Sequence, residues 1–327
     1  MLMISKLQKP INSGFNSKSN AHEITKDVDL NGKIAIVTGG YSGIGLETTR
    51  ELVSSGAEVI IPAKRSDVAI KNLEGIVPKE NVIEMDLSDL NSVKNFTDGY
   101  KENFNRLDLL INNAGIMACP ETRIGDNWES QIAVNHFGHF LLTKELMDMM
   151  AGNDGARFVS LSSSAHSLTG ILWDDIHFLD NPYDKWMAYG QSKTASSLIA
   201  IEFDRLMEDK GVRGFSVHPG GIITPLQRHL QKEEMVALGW MKEDGSPTEL
   251  TKNFFKTTSQ GASTTLWCAT NPSLNNIGGV FCEDCDIAKI KSEVDESMQR
   301  YFGVADWAVD VDEASKLWEL TDKTLKS

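Results

Sequence analysis

Residues 33–53 constrain this chain more than any other stretch. Lys33-Ile34-Ala35-Ile36-Val37-Thr38 is a short apolar run of strand length, Gly39-Gly40-Tyr41-Ser42-Gly43-Ile44-Gly45 follows it, and a helical stretch opens over 46–53. Glycines spaced in this way permit a tight strand-to-helix turn and let an anion approach bare backbone N–H groups, while the helix amino end adds partial positive charge. Such a loop suits a dinucleotide pyrophosphate, although an ordinary glycine-rich turn reads the same way in isolation.

Further apolar strand candidates lie at 58–62, 81–85, 107–111, 157–161, 213–217 and 278–282, with helix-length segments between most of them. That alternation predicts an α/β fold, a seven-stranded parallel sheet, doubly wound in the Rossmann manner, with helices on both faces. Repeated βα units need right-handed crossovers, and ligands bind beyond the carboxyl ends of the strands, where Gly39, Asn112, Ser163 and His218 all fall. The 327 residues can hold one domain or two, but the motifs run from Thr38 to Lys193 within one pattern, which favours a single domain over 30–327. Residues 1–29, with the small polar run 12–20, are expected to form a flexible arm.

Chemistry is suggested by Tyr189 and Lys193, four apart and therefore on one face if helical. A free phenol has a pKa of about 10, and a neighbouring cation lowers such a value by about 1–3. A phenol brought near neutrality serves as base in alcohol oxidation and as acid in carbonyl reduction. Alone, the pair is equally a solvated surface pair.

It is not alone. Thr38-Gly39 through Gly45, Asn112-Asn113-Ala114-Gly115, Asn135, Ser163, Tyr189 and Lys193 stand in the order of the classical short-chain dehydrogenase/reductase family, which this chain resembles from about residue 30 onward. Val134-Asn135-His136-Phe137-Gly138-His139-Phe140-Leu141, Ser162-Ser163-Ser164-Ala165-His166 and Tyr189-Gly190-Gln191-Ser192-Lys193 are similar to the retinol-dehydrogenase-like and related bacterial oxidoreductase branch. The resemblance implies hydride transfer between a nicotinamide cofactor and a carbonyl or secondary alcohol, with Tyr189 as general acid/base and Ser163, selected among three adjacent serines by alignment, holding the substrate oxygen. It gives Lys193 the nicotinamide ribose and Asn135 a water-mediated proton relay toward Lys193, although Asn135 can also merely satisfy helix backbone. Cofactor contacts are implied for Gly39, Tyr41, Ser42, Gly43, Ile44, Gly45, Asn113, Ala114 and Gly115. Asp86 and Leu87 are implied near the adenine, with Asp86 alternatively an N-cap for 89–103. Pro219, Gly220, Ile222 and Thr224 are implied over the nicotinamide, with His218 shaping that turn.

Lys64 and Arg65 stand at the end of the second strand, about 20 residues past the glycine loop, where an acid would bind a free ribose hydroxyl. Two cations, with the Ser42 hydroxyl, predict a 2′-phosphate and hence NADP(H) over NAD(H); a solvated basic pair is the alternative. From Pro225 onward, Leu226, Leu230, Met235, Leu238, Trp240 and Met241 are apolar enough for a substrate lid over about 225–257, or for ordinary amphipathic packing. Trp173, Trp186, Trp240, Met117 and Met187 suggest a small apolar carbonyl or alcohol substrate, though such residues also build plain core. The long Ser163–Tyr189 segment either shapes the pocket or is a packing excursion. Homodimers or homotetramers are implied by the resemblance, and the helix after that segment often forms the subunit interface.

A net charge of −14 without a basic stripe argues against nucleic acid and anionic membranes. No run approaches the ~18 apolar residues of a membrane span, and four scattered cysteines suggest a reducing compartment, the cytoplasm. No metal is expected: Cys282-x-x-Cys285 lacks a second pair, and His136 and His139 read as buried, hydrogen-bonded rings. Ser163 near His166 lacks the Gly-x-Ser-x-Gly elbow of a hydrolase. The non-enzymatic alternative is an NADPH-binding redox sensor without turnover.

Overall fold

Strands β1 (Ile34–Val37), β2 (Glu58–Ala63), β3 (Val82–Glu84), β4 (Leu109–Asn112), β5 (Arg157–Leu161), β6 (Arg213–His218) and β7 (Val280–Glu283) form where the apolar runs predict them. A computed structural model describes residues 3–326. Every residue of β4 and β5 is buried, as for strands covered on both faces. Side chains alternate: Ala35 and Val37 join a core layer with the Gly43–Ser54 and Thr258–Thr270 helices, whereas Ile36, Leu110 and Phe158 pack with the Leu90–Asn103, His139–Leu146 and Lys185–Met207 helices.

With β8 (Asp286–Ile287), the sheet order is β8-β7-β6-β5-β4-β1-β2-β3. β1 pairs in parallel with both β2 and β4, so the winding reverses between β1 and β4. The glycine loop and Asn113-Ala114-Gly115 leave the sheet on either side of that crevice.

The sheet has eight strands rather than seven. β8 pairs antiparallel with β7, across a turn in which Asp284 and Cys285 both adopt the left-handed conformation, with φ of 50° and 61°. Two residues are too short to register as a strand in a hydropathy pattern. The Cys282–Cys285 segment is this hairpin; all four cysteines are free thiols, and no metal-ligating cluster occurs among the described residues.

Residues 3–29 are packed, not loose, and residues 1 and 2 of the expected arm lie outside the described residues. Gln8 donates to the carbonyls of Phe281 and Ala288 and accepts from the Phe281 amide. Asp286 accepts from the amides of Ile11 and Asn12. Asn20 and Glu23 cap a one-turn helix, Ala21–Thr25, that buries Ala21 and Ile24 against the Thr258–Thr270 helix. The segment thus covers the edge that a sheet would otherwise expose. It reads as an arm because its partners stand some 270 residues away.

At the other end, the Val311–Thr324 helix packs on the Lys185–Met207 helix, and Ser197 bonds the Ala308 carbonyl at 2.6 Å. The helix expected to meet a second subunit is therefore covered by its own chain. No helix among the described residues is long and apolar enough to cross a membrane.

Replacing Gln8 by Ala leaves the Phe281 amide unpaired in the core and is expected to cost about 1–3 kcal/mol. A urea-unfolding midpoint unchanged from the parent would refute this account of the arm.

Candidate active site

The nucleotide loop is built from Thr38 upward. The Thr38 hydroxyl accepts from the amides of Asn113 and Ala114, both at 2.9 Å, and Asn113 Nδ2 returns to the Thr38 carbonyl. This clamp presses the ends of β1 and β4 so close that a Cβ on Gly45 would lie 2.4 Å from Asn113 Nδ2. Gly43, at φ +53°, faces the Thr224 methyl, which brings the 218–224 turn beside the loop. Ser42 precedes the helix in extended conformation with its hydroxyl uncommitted to capping, and the first amides of the helix have no intrahelical acceptor. Ile44 and Ile222 both pack about Gly261, and Tyr41 is tied by its carbonyl to Asn72. This bare-backbone cradle fits a pyrophosphate.

At the end of β2, Lys64 pairs with Asp86 at 2.7 Å, so the two expected cations are not equivalent. Burial pushes the Asp86 carboxyl up, but Lys64 and Ser88 outweigh it and hold the group below its usual range. Arg65 is exposed and has no side-chain partner among the described residues. Asp86 does not cap the following helix; Asp89 does, through the Asn91 amide at 2.9 Å. Leu87 is buried, its carbonyl so close to Gly138 that a Cβ there would lie 2.3 Å away.

The three serines after β5 separate by their bonds. The Ser162 hydroxyl donates to the Lys193 carbonyl at 2.7 Å, and the Ser164 amide donates to His218 Nδ1 at 3.1 Å. Ser163 is left beside the Tyr189 phenol. That phenol is 3 % exposed, and burial pushes it up to about 12, with a hydrogen bond from Ser163 acting against the rise. Lys193 Nζ lies 5.7 Å from the Tyr189 ring centre and donates to the Leu161 carbonyl at 2.9 Å; burial pushes the ammonium down to about 8. The expected lowering of Tyr189 by Lys193 is thus absent: desolvation raises the phenol, and what acts against it is the Ser163 hydrogen bond.

Asn135 sits in a π-helical turn, Ala133–Gly138. Its Oδ1 accepts from the Ile116 amide, and its Nδ2 donates to the Ile116 carbonyl and the Ser192 hydroxyl, all at 2.9 Å. A Cβ on Gly115 would lie 3.2 Å from Asn135 Oδ1 and 3.6 Å from Lys193 Nζ, so the three converge. His218 Nδ1 also accepts from the Gly220 amide at 3.4 Å, and the ring shapes the Pro219-Gly220 turn.

Over the phenol lies an apolar cover. Met117, Ala118 and Leu230 pack with Tyr189, flanked by Trp186, Leu226, Met235, Leu238 and Trp240. An ion pair between Lys185 and Glu234 pins this 225–240 cover to the start of the Tyr189 helix. Trp173 belongs elsewhere: its indole donates to Glu313, and Lys316 stacks on it at 3.8 Å. The Ile171–Ile176 part of the lengthened segment is a packing excursion in the core beneath the Val311–Thr324 helix.

The chain matches the short chain dehydrogenase family over residues 33–235. It belongs to that family. A "Probable oxidoreductase" of Streptomyces lividans is 38 % identical over 305 residues, covering 92 % of this chain and 100 % of the relative. "Retinol dehydrogenase 12" of Bos taurus is 37 % identical over 264 residues, 79 % and 80 % of the two chains. Among solved structures, a protein of Mycobacterium Paratuberculosis superposes with a TM-score of 0.68 at 30 % identity, covering 93 % of this chain and 97 % of its own. A nicotinamide-dependent oxidoreductase of the short-chain family is therefore the setting for the site.

The partners of three residues escape sequence reasoning: those of Thr38, of His139, which is the buried, hydrogen-bonded ring expected, and of His166. His166 Nδ1 bonds the Ser163 carbonyl at 2.5 Å, not the Ser163 hydroxyl, and its Nε2 accepts from the Ala305 amide at 3.0 Å. It positions the serine backbone and forms no hydrolase pair. Only its place in the Ser-x-Ala-His run hinted at a role.

Burial holds the rings of His136 and His218 down to about 3 and those of His139 and His166 down to about 4. Between the unfolded value of 6.5 and these, the unfolded chain takes up protons that the native chain does not. Stability is therefore expected to be full above about pH 6.5 and to fall as the pH drops toward about 4. Urea midpoints measured across that window that stay level or rise on acidification would contradict it.

Proposed function

We propose that the protein is an NADP(H)-dependent oxidoreductase moving hydride between the nicotinamide and a small apolar carbonyl or secondary alcohol, with Tyr189 as general acid/base. The observation that carries this reading is the buried convergence of the Tyr189 phenol, Ser163, Lys193 and Asn135 beneath an apolar cover, beside the glycine cradle. The cofactor supplies or accepts the hydride. Tyr189, raised by burial, holds its proton at neutral pH; it would give that proton to a carbonyl oxygen in reduction and take it back in alcohol oxidation. Ser163 holds that oxygen, and Lys193, a desolvated ammonium, steadies the nicotinamide ribose and restores the proton through water at Asn135. The Met117–Leu230–Trp186 cover excludes bulk water and selects apolar substrates.

The cradle of Gly39, Tyr41, Ser42, Gly43, Ile44 and Gly45 would hold the pyrophosphate, with Asn113, Ala114 and Gly115 across the crevice. Asp86 and Leu87 would flank the adenine, and Pro219, Gly220, Ile222 and Thr224 the carboxamide. NADP(H) is favoured by the uncommitted Arg65 and Ser42 hydroxyl, with Lys64 shared between Asp86 and the 2′-phosphate. Four buried free thiols support a reducing, cytoplasmic setting.

NADPH consumption measured across aldehydes, ketones and quinones, with NADH alongside, tests the reading. Tyr189→Phe should lose at least about 100-fold in kcat while binding NADPH as before. A parent that binds NADPH but turns over none of these substrates, indistinguishably from the variant, would point to a sensor instead. Arg65→Ala should weaken NADPH binding about tenfold and leave NADH binding unchanged. Equal effects on both cofactors would remove Arg65 from the 2′-phosphate.

A further inference from the structure

The side chain of Asn135 has no proton left to give a relay: both Nδ2 protons go to Ile116 and Ser192, while Oδ1 accepts from the Ile116 amide. The residue's backbone carbonyl is a further acceptor at the same place. The amide of His139, which an α-helix would aim at that carbonyl four residues back, bonds the carbonyl of His136 instead, and the Asn135 carbonyl receives His139 Nδ1 at 3.1 Å.

We propose that His139 is a positioning residue, a neutral ring protonated on Nδ1 that ties the Asn135 carbonyl to Thr38 at the root of the glycine loop. The tautomer follows from the partners. A carbonyl can only accept, so Nδ1 carries the proton and Nε2 is a bare acceptor. Nε2 lies 2.9 Å from the Thr38 hydroxyl, nearer than that hydroxyl's other acceptor, the Ile111 carbonyl at 3.4 Å, and so takes its proton. Both lone pairs of the Thr38 oxygen are then free for the Asn113 and Ala114 amides that they accept. The opposite tautomer would set N–H against the hydroxyl and a lone pair against a carbonyl oxygen. The ring is 3 % exposed, and burial together with the nearby Lys193 ammonium keeps it uncharged. One lone pair of the Asn135 carbonyl is engaged by the ring, and a relay water toward Lys193 would take the second. The bridge thus couples the nucleotide strand to the relay, and its effect on turnover rests on the reductase reading above.

Two substitutions divide the ring in half. Asn places an amide nitrogen where Nδ1 stood, and Gln an amide oxygen where Nε2 stood. His139→Asn should keep kcat within about threefold and weaken NADPH binding several-fold, because Thr38 loses its acceptor. His139→Gln should lower kcat about tenfold with NADPH affinity unchanged, because the Asn135 carbonyl loses its donor. Imidazole nitrogen-15 shifts of the cofactor-free protein, assigned by loss of the signal in each variant, should report a neutral Nδ1–H ring at neutral pH. An Nε2–H or charged ring overturns the proposal irrespective of turnover. Variants that lose kcat and NADPH affinity in equal proportion reduce His139 to packing. Should the parent show no turnover, the reductase reading falls, while the tautomer and the contrast in NADPH affinity still decide the fate of the His139 bridge.

Discussion

One hydroxyl organises the crevice on which everything else depends. Thr38 follows β1, accepts two amides from the chain leaving β4 and gives its own proton to a buried imidazole. Parallel strands pair along their length, but nothing in the ladder prescribes how the two departing loops diverge once it ends. The hydroxyl does so, at the point where the winding of the sheet reverses, and it leaves no room for a side chain at Gly45. The course of the glycine loop is thereby set by contacts within the protein.

Desolvation is the second organising force. Tyr189 and Lys193 both lie under the apolar cover, and burial drives each toward its uncharged form, the phenol up and the ammonium down. A pair that in water would be an ordinary acid and an ordinary cation becomes a tightly held proton beside a loosely held one. The neighbouring histidines belong to the same environment and are kept neutral by burial; His139 and His166, bonded through both ring nitrogens, act as rigid struts.

What the sequence revealed, and what it concealed, follows the range of the interactions. The seven parallel strands were legible because strands buried on both faces are continuous apolar runs, and the glycine loop was legible because its spacing is local. The eighth strand, two residues after a left-handed turn, carries no pattern. Asp86 and Asp89 are equivalent as caps on paper, and only the Lys64 ion pair and the Asn91 amide separate them. Trp173 looked like a pocket residue because aromatics near a catalytic motif invite that reading; its indole finds Glu313, 140 residues on. His139 and His166 are visible as letters, but their bonds to Thr38 and Ala305 cross the fold, and no periodicity reports such contacts.

The packing of residues 3–29 bears on how the chain reaches this state. Gln8 bonds Phe281 and Ala288, and the Met3 amide bonds Asp310, so this stretch finds its partners only after some 270 to 310 further residues have been made. Contacts of such separation carry a large loop-closure cost and come late in folding. Until they form, β7 and β8 present an unguarded edge to other chains. The bonds from Thr38 to Asn113 and Ala114 span only about 75 residues, and so this part of the sheet closes over a far shorter loop than the edge does.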